Sequence, residues 1–157
     1  MDDLAHVLWS VAIFYHHAWW IAVLFGILPD LLVFVPFFIR KLMSGTVRSV
    51  ADLNPKKDVK FFAKWVLPLY SITHSLIFVC GIVLVSSLLF GYHIEYWAML
   101  VHVLVDVPSH KRSWFGTKLF WPFHNWQFNG GDWAARDFML ANYTALALVY
   151  AILLLGL

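Results

Sequence analysis

From Trp65 to Phe90 the chain carries no Asp, Glu, Lys or Arg. A helix that crosses the hydrocarbon core of a bilayer needs roughly 20 predominantly apolar residues, so this run is long enough to span alone. Phe138–Leu157 repeats the pattern. Further apolar runs occupy Leu4–Leu28, Leu31–Ile39 and Tyr96–Val107, the last reaching the lower limit if its helix begins near His93. The chain is 62% hydrophobic and 13% charged, whereas a soluble domain of this size carries about 25% charged residues. The prediction is an all-α, polytopic membrane protein with about four main hydrophobic helices, set by the length needed to span. One integral membrane domain is expected over residues 1–157.

Punctuation and charge suggest the topology. Gly91-Tyr92-His93 reads as the tip of a tight helical hairpin. Seven of the eleven basic residues fall between Arg40 and Lys64, and Lys111, Arg112 and Lys118 follow the third hydrophobic block. Positive charge in short loops marks the cytoplasmic side, which places both loops there and the Gly91 tip opposite. Residues 108–132 read as an interfacial loop, Ser44–Asp58 as a polar linker, and Asp132 as the N-cap of the last helix. The start MDDLAHVLWS opens with acids instead of a basic n-region and reads as mature sequence. Leu4–Leu28 is open to two readings. No Gly or Pro interrupts it at Tyr15-His16-His17, which favours one helix, while two histidines in mid-membrane favour a fold-back.

Cys80 is the single cysteine, so no disulfide framework or Cys-rich metal knuckle is available. A net charge of +2 gives no basis for nucleic-acid binding. The sequence has no phosphate-binding glycine loop, no GxSxG and no HExxH.

The chemistry concentrates in HVLVDVPSH. His102 and Asp106 share a helical face, and His110 follows after Pro108, which disfavours helix at the residue before it. Residues equally far from a hairpin tip lie level, which brings His74 beside the Asp106 end. Asp30 lies between an apolar block and the basic loop, so it belongs at the same end. Intramembrane ionisable residues mark functional sites, and Asp with imidazole suits zinc, manganese or iron. The competing reading makes Asp106 a solvated helix-end charge and His102 a satisfied core histidine. His16, His17 and His93 read as interfacial or packing residues. Thr73 and Ser75 read as partners of His74 or of helix carbonyls.

Leu28-Pro29-Asp30, Thr73-His74-Ser75-Leu76, His102 with Asp106, and Phe120-Trp121-Pro122-Phe123, in this order, resemble a family of small bacterial and archaeal inner-membrane proteins. That family is described as membrane-bound metal-dependent hydrolases and includes a LexA-regulated member. The resemblance runs from residue 5 to about residue 128, with DLAH ending at His6 as its early histidine. It is more distantly similar to the zinc-dependent phospholipase C and nuclease superfamily. Carried over, it implies Asp30, His74, His102 and Asp106 around a first metal, and His6 joining Asp106 around a second. It further implies a fold-back near Tyr15-His16, because a straight helix would carry His6 to the opposite face. The chain departs from the pattern at Tyr70-Ser71-Ile72, where the family has His-Arg-Gly. His110 and His124 are additional, and His110 is a further candidate ligand.

The resulting expectation is a multi-pass inner-membrane hydrolase with Asp106 and His102 at its catalytic centre. It would use one or two divalent ions, zinc first and manganese second. Its substrate would be a phosphoester on a membrane lipid or lipid-linked molecule, reached from the cytoplasmic interface. The alternatives are a non-catalytic metal-binding protein, or a haem protein with His74 and His102 as axial ligands.

Overall fold

The computed structural model describes residues 2–45 and 62–156, so most of the expected Ser44–Asp58 linker and of its basic charges lies outside the described residues. Helix α1 spans Asp3–Ile13 and α2 spans Trp19–Met43. After a π turn at Phe62–Val66 come α3 (Leu67–Thr73) and α4 (Leu76–Phe90). A 3₁₀ turn at Ile94–Trp97 leads into α5 (Ala98–Ser109), and α6 spans Arg136–Leu155. No strand occurs among the described residues.

Leu4–Leu28 folds back. The Asp2 side chain caps α1 by accepting from the Ala5 N–H at 3.0 Å, which satisfies one of the donors a helix start leaves orphaned. The chain reverses through residues 14–18, where the Ala18 N–H donates to Glu95 Oε1 at 2.7 Å. Helices α1 and α2 then approach so closely that a Cβ on Gly26 would collide with Ser10 Oγ. Only glycine permits that approach.

Leu31–Ile39 is not a separate block: α2 runs unbroken for 25 residues through Pro29 and Pro36, about 37 Å at 1.5 Å per residue. Conversely, Trp65–Phe90 is not one straight span. It bends by 60° between α3 and α4. Ser75, its backbone extended at φ −92° and ψ 147°, starts α4 anew.

 The Ser75 Oγ accepts from the Phe78 N–H at 3.3 Å and so caps α4. The Leu76 N–H, freed by the break, donates to the Leu119 carbonyl at 2.9 Å.

Gly91-Tyr92-His93 forms the expected tip between α4 and α5. Tyr96–Val107 is realised as a helix of only 12 residues, Ala98–Ser109. Pro108 does not stop it, because a missing N–H in the last turn removes a single bond. The chain after α5 returns to its end: Gly131 and Trp133 donate to the carbonyls of Pro108 (2.7 Å) and Ser109 (3.0 Å). A Cβ on Gly130 would run into the Pro108 carbonyl. The expected 108–132 loop thus extends to residue 135, and Ala135, not Asp132, occupies the N-cap of α6.

Helices α2 and α6 are long and apolar enough to cross a membrane, and the bent α3–α4 pair makes a third candidate. Leu88, Leu89, Phe90 and Leu154 lie on the outside. Helix α6 is held to α1 by Tyr143 (to Asp2 Oδ1, 2.7 Å), Trp9 (to Asn142 Oδ1, 3.0 Å) and Tyr150 (to the Leu8 carbonyl, 2.9 Å).

Candidate metal centre

Three helices and the α3–α4 break deliver the polar side chains to one place. Asp30 comes from the middle of α2, beside Pro29. His74 sits at the C-cap of α3, where the bend turns it inward. His102 and Asp106 lie one turn apart on α5, and His6 comes from α1 because the chain folds back. All five side chains are buried.

The hydrogen-bond partners assign the imidazole tautomers. His102 Nδ1 lies 2.6 Å from the Gly26 carbonyl, and His74 Nδ1 lies 3.1 Å from the Tyr70 carbonyl. A carbonyl only accepts, so each Nδ1 carries a proton, and in the neutral imidazole each Nε2 then presents a lone pair. The two Nε2 atoms face one another at 3.1 Å. In that form two lone pairs at this distance repel unless a proton or a metal ion lies between them.

Carboxylates complete the set. Asp106 Oδ2 lies 3.4 Å from both Nε2 atoms, while Asp30 lies 3.4 Å from His74 Nε2 and 3.7 Å from His102 Nε2. Ligands about 2.0–2.1 Å from a tetrahedral zinc are separated by about 3.3 Å, so these spacings fit one ion. The other oxygen of Asp106, Oδ1, lies 3.1 Å from His6 Nε2 and 3.4 Å from His110 Nδ1. Two groups, His74–His102–Asp106 and His6–Asp30–His102, have the closeness needed to hold a metal ion.

The surroundings fix these side chains. Thr73 Oγ1 is 2.9 Å from His74 Nδ1, whereas Ser75 spends its hydroxyl on the Ile72 carbonyl and the α4 cap. Tyr70 was missed as a site residue. Its hydroxyl donates to Asp106 Oδ2 at 3.1 Å, and its ring stacks on His74 with centroids 3.7 Å apart. The signal was present, since Tyr70 precedes His74 by one helical turn on a shared face. Ser109, also missed, donates to the Asp106 carbonyl at 3.3 Å. Burial pushes the His110 imidazole down to about 4 against the attraction of the Asp106 charge. His110 is thus neutral near pH 7, the form in which imidazole binds a metal.

His124 stays apart, exposed, with Nδ1 accepting from the Trp126 N–H at 2.9 Å. His16 and His17 are exposed in the α1–α2 turn, and His93 lies 3.7 Å from Glu95 at the far end. A cavity of about 720 Å³ opens over Asp30, Tyr70 and His110, walled by Phe34, Trp114 and Trp133.

Comparison with family models, with curated proteins and with solved structures yields no match to this chain.

Proposed function

We propose that the protein is a multi-pass inner-membrane hydrolase that uses a metal-activated water on a phosphoester carried by a lipid. The observation that carries this reading is the opposed pair of Nε2 lone pairs, His74 facing His102, with Asp30 and Asp106 beside them. Zinc is the first choice and manganese the second, since the donors are imidazole and carboxylate without thiolate. Bound there, a divalent ion supplies Lewis acidity and brings the pKa of its water toward about 7.

The chain's residues have separable tasks. His74 and His102 present neutral nitrogens, oriented by the Tyr70 and Gly26 carbonyls. Asp106 turns Oδ2 to His74 and His102 and Oδ1 to His6 and His110, so it would be a ligand whether one ion or two were held. Tyr70 holds the Asp106 carboxylate in place, and Asp30 faces the cavity through which substrate arrives. The aromatic walls of that cavity suit an amphiphile, and the resemblance noted in the sequence supports phosphoester chemistry at the cytoplasmic interface.

A non-catalytic metal protein would keep the same ligands without turnover. The haem alternative would use His74 and His102 alone and leave Asp30 and Asp106, 3.4–3.7 Å from the same nitrogens, without a role.

The test is elemental analysis of protein purified in neutral detergent, paired with phosphomonoester and phosphodiester lipids assayed with and without chelator. Stoichiometric metal and chelator-sensitive phosphate release are expected. Absence of bound metal, or turnover indifferent to chelator, would overturn the reading. For sidedness, cysteines introduced at Asn125 and Tyr92 in a Cys80→Ser background should label from opposite faces.

A further inference from the structure

A second cavity of about 390 Å³ also has Tyr70 in its lining, but none of the clustered histidines and aspartates. The two cavities share Tyr70, Ser113 and Phe115 as a wall. Their charges differ. The first is lined by Asp2, Asp3, Asp30 and Asp132, and its one cation, Lys111, is paired with Asp132 at 3.0 Å. The second has no carboxylate among its lining residues and contains Arg112 and Lys118. Neither cation forms an ion pair among the described residues.

The loop that carries these cations is held in shape. The Arg112 N–H donates to Asn129 Oδ1 at 3.0 Å, and Gln127 Nε2 donates to the Gly116 carbonyl at 2.8 Å. A Cβ on Gly116 would come within 3.0 Å of Arg112 Cα and 3.1 Å of Gln127 Cδ, so the backbone passes at close quarters there. Phe115 adopts φ 58°, a left-handed conformation costly for a bulky residue and paid for by its packing against Tyr70. Arginine donates in a planar fork that matches phosphate, lysine adds a point charge, and the Ser113 hydroxyl supplies a further donor.

We propose that this second cavity is a phosphate-recognition subsite, holding the anionic phosphate of a lipid headgroup or a free phosphate one tyrosine away from the cluster. It rests on neither the metal nor turnover. Positive charge in this loop is also what a cytoplasmic loop would carry for topology alone, so the test must separate position from charge.

Full-length protein in neutral detergent is titrated with inorganic phosphate, with phosphatidic acid, and with diacylglycerol, which lacks the phosphate. Arg112→Gln and Lys118→Gln should each weaken phosphate-type binding by about tenfold, as for loss of a charge-assisted contact. Lys111→Gln, a neighbouring cation outside this cavity, should leave it unchanged, and Arg112→Lys should recover part of the loss. Circular dichroism confirms that each variant keeps its helices. Binding of inorganic phosphate identifies a free-anion site, and binding of phosphatidic acid alone identifies a headgroup site. The proposal is overturned if neither probe binds, if diacylglycerol binds as well as phosphatidic acid, or if Lys111→Gln weakens binding as much as Arg112→Gln.

Discussion

Two buried carboxylates stand near opposite ends of the Ile94–Ser109 stretch, and their company differs. Glu95 accepts from the Ala18 N–H at 2.7 Å and has His93 3.7 Å away. It fastens the α1–α2 turn to the hairpin tip, and a single backbone donor accounts for its place. Asp106 is approached by His6, Tyr70, His74, His102 and His110, all within 3.4 Å. Two of those histidines already give their ring protons elsewhere and bring lone pairs, not donors. A buried acid that secures a fold is met by donors alone; one that also faces imidazole lone pairs calls for a cation.

That contrast is most directly broken at Asp106. Asp106→Asn removes the charge and one of two equivalent oxygens, and should lower metal affinity beyond the roughly 100-fold seen when only supporting residues are changed. Helicity should persist. Glu95→Gln should retain full metal content, and equal metal loss in both variants would erase the distinction between the two acids.

Tyr70→Phe keeps the ring stacked on His74 and deletes only the hydroxyl that holds Asp106. A loss of about tenfold in metal affinity is expected, in the range for outer partners of a ligand. An unchanged affinity would show that Asp106 needs no such support.

Glu95→Gln should act on stability instead, costing about 1.5–3 kcal/mol for a hydrogen bond to a charged group. Burial pushes the Glu95 carboxyl up, but the backbone N–H groups of Glu95 and Ala18 outweigh it and hold it below its ordinary value. A depressed carboxylate contributes stability that is present above its unfolded pKa and lost as pH falls through the folded one. Thermal unfolding of the wild type should therefore weaken below about pH 4.3, and the variant should lack that part of the dependence. Parallel pH profiles would remove the role assigned to Glu95.

Smallest of all, Lys111→Gln breaks an exposed pair with Asp132 and should change stability by less than about 1 kcal/mol. A larger change by chemical denaturation would mean that the loop closing over α5 depends on that pair.

Composition and the long uncharged runs were enough to determine an all-helical chain with helices long and apolar enough to cross a membrane, because backbone groups in hydrocarbon must be satisfied within the segment. Helical spacing also placed His102 and Asp106 on one face, level counting from the Gly91 tip brought His74 toward them, and the place of Asp30 before the basic loop put it at the same end. Tertiary structure decided the rest. Hydropathy does not register that α2 passes through two prolines while Trp65–Phe90 breaks at His74-Ser75 without one. The break depends on a Ser75 cap and on a Leu119 carbonyl distant in sequence. The fold-back of Leu4–Leu28 depends on the Glu95 bond and on Gly26 against Ser10, neither of which local periodicity can express. Tyr70 entered the site for the same reason: a hydroxyl's partner is chosen by what packs across from it, and that is a property of the assembled helices.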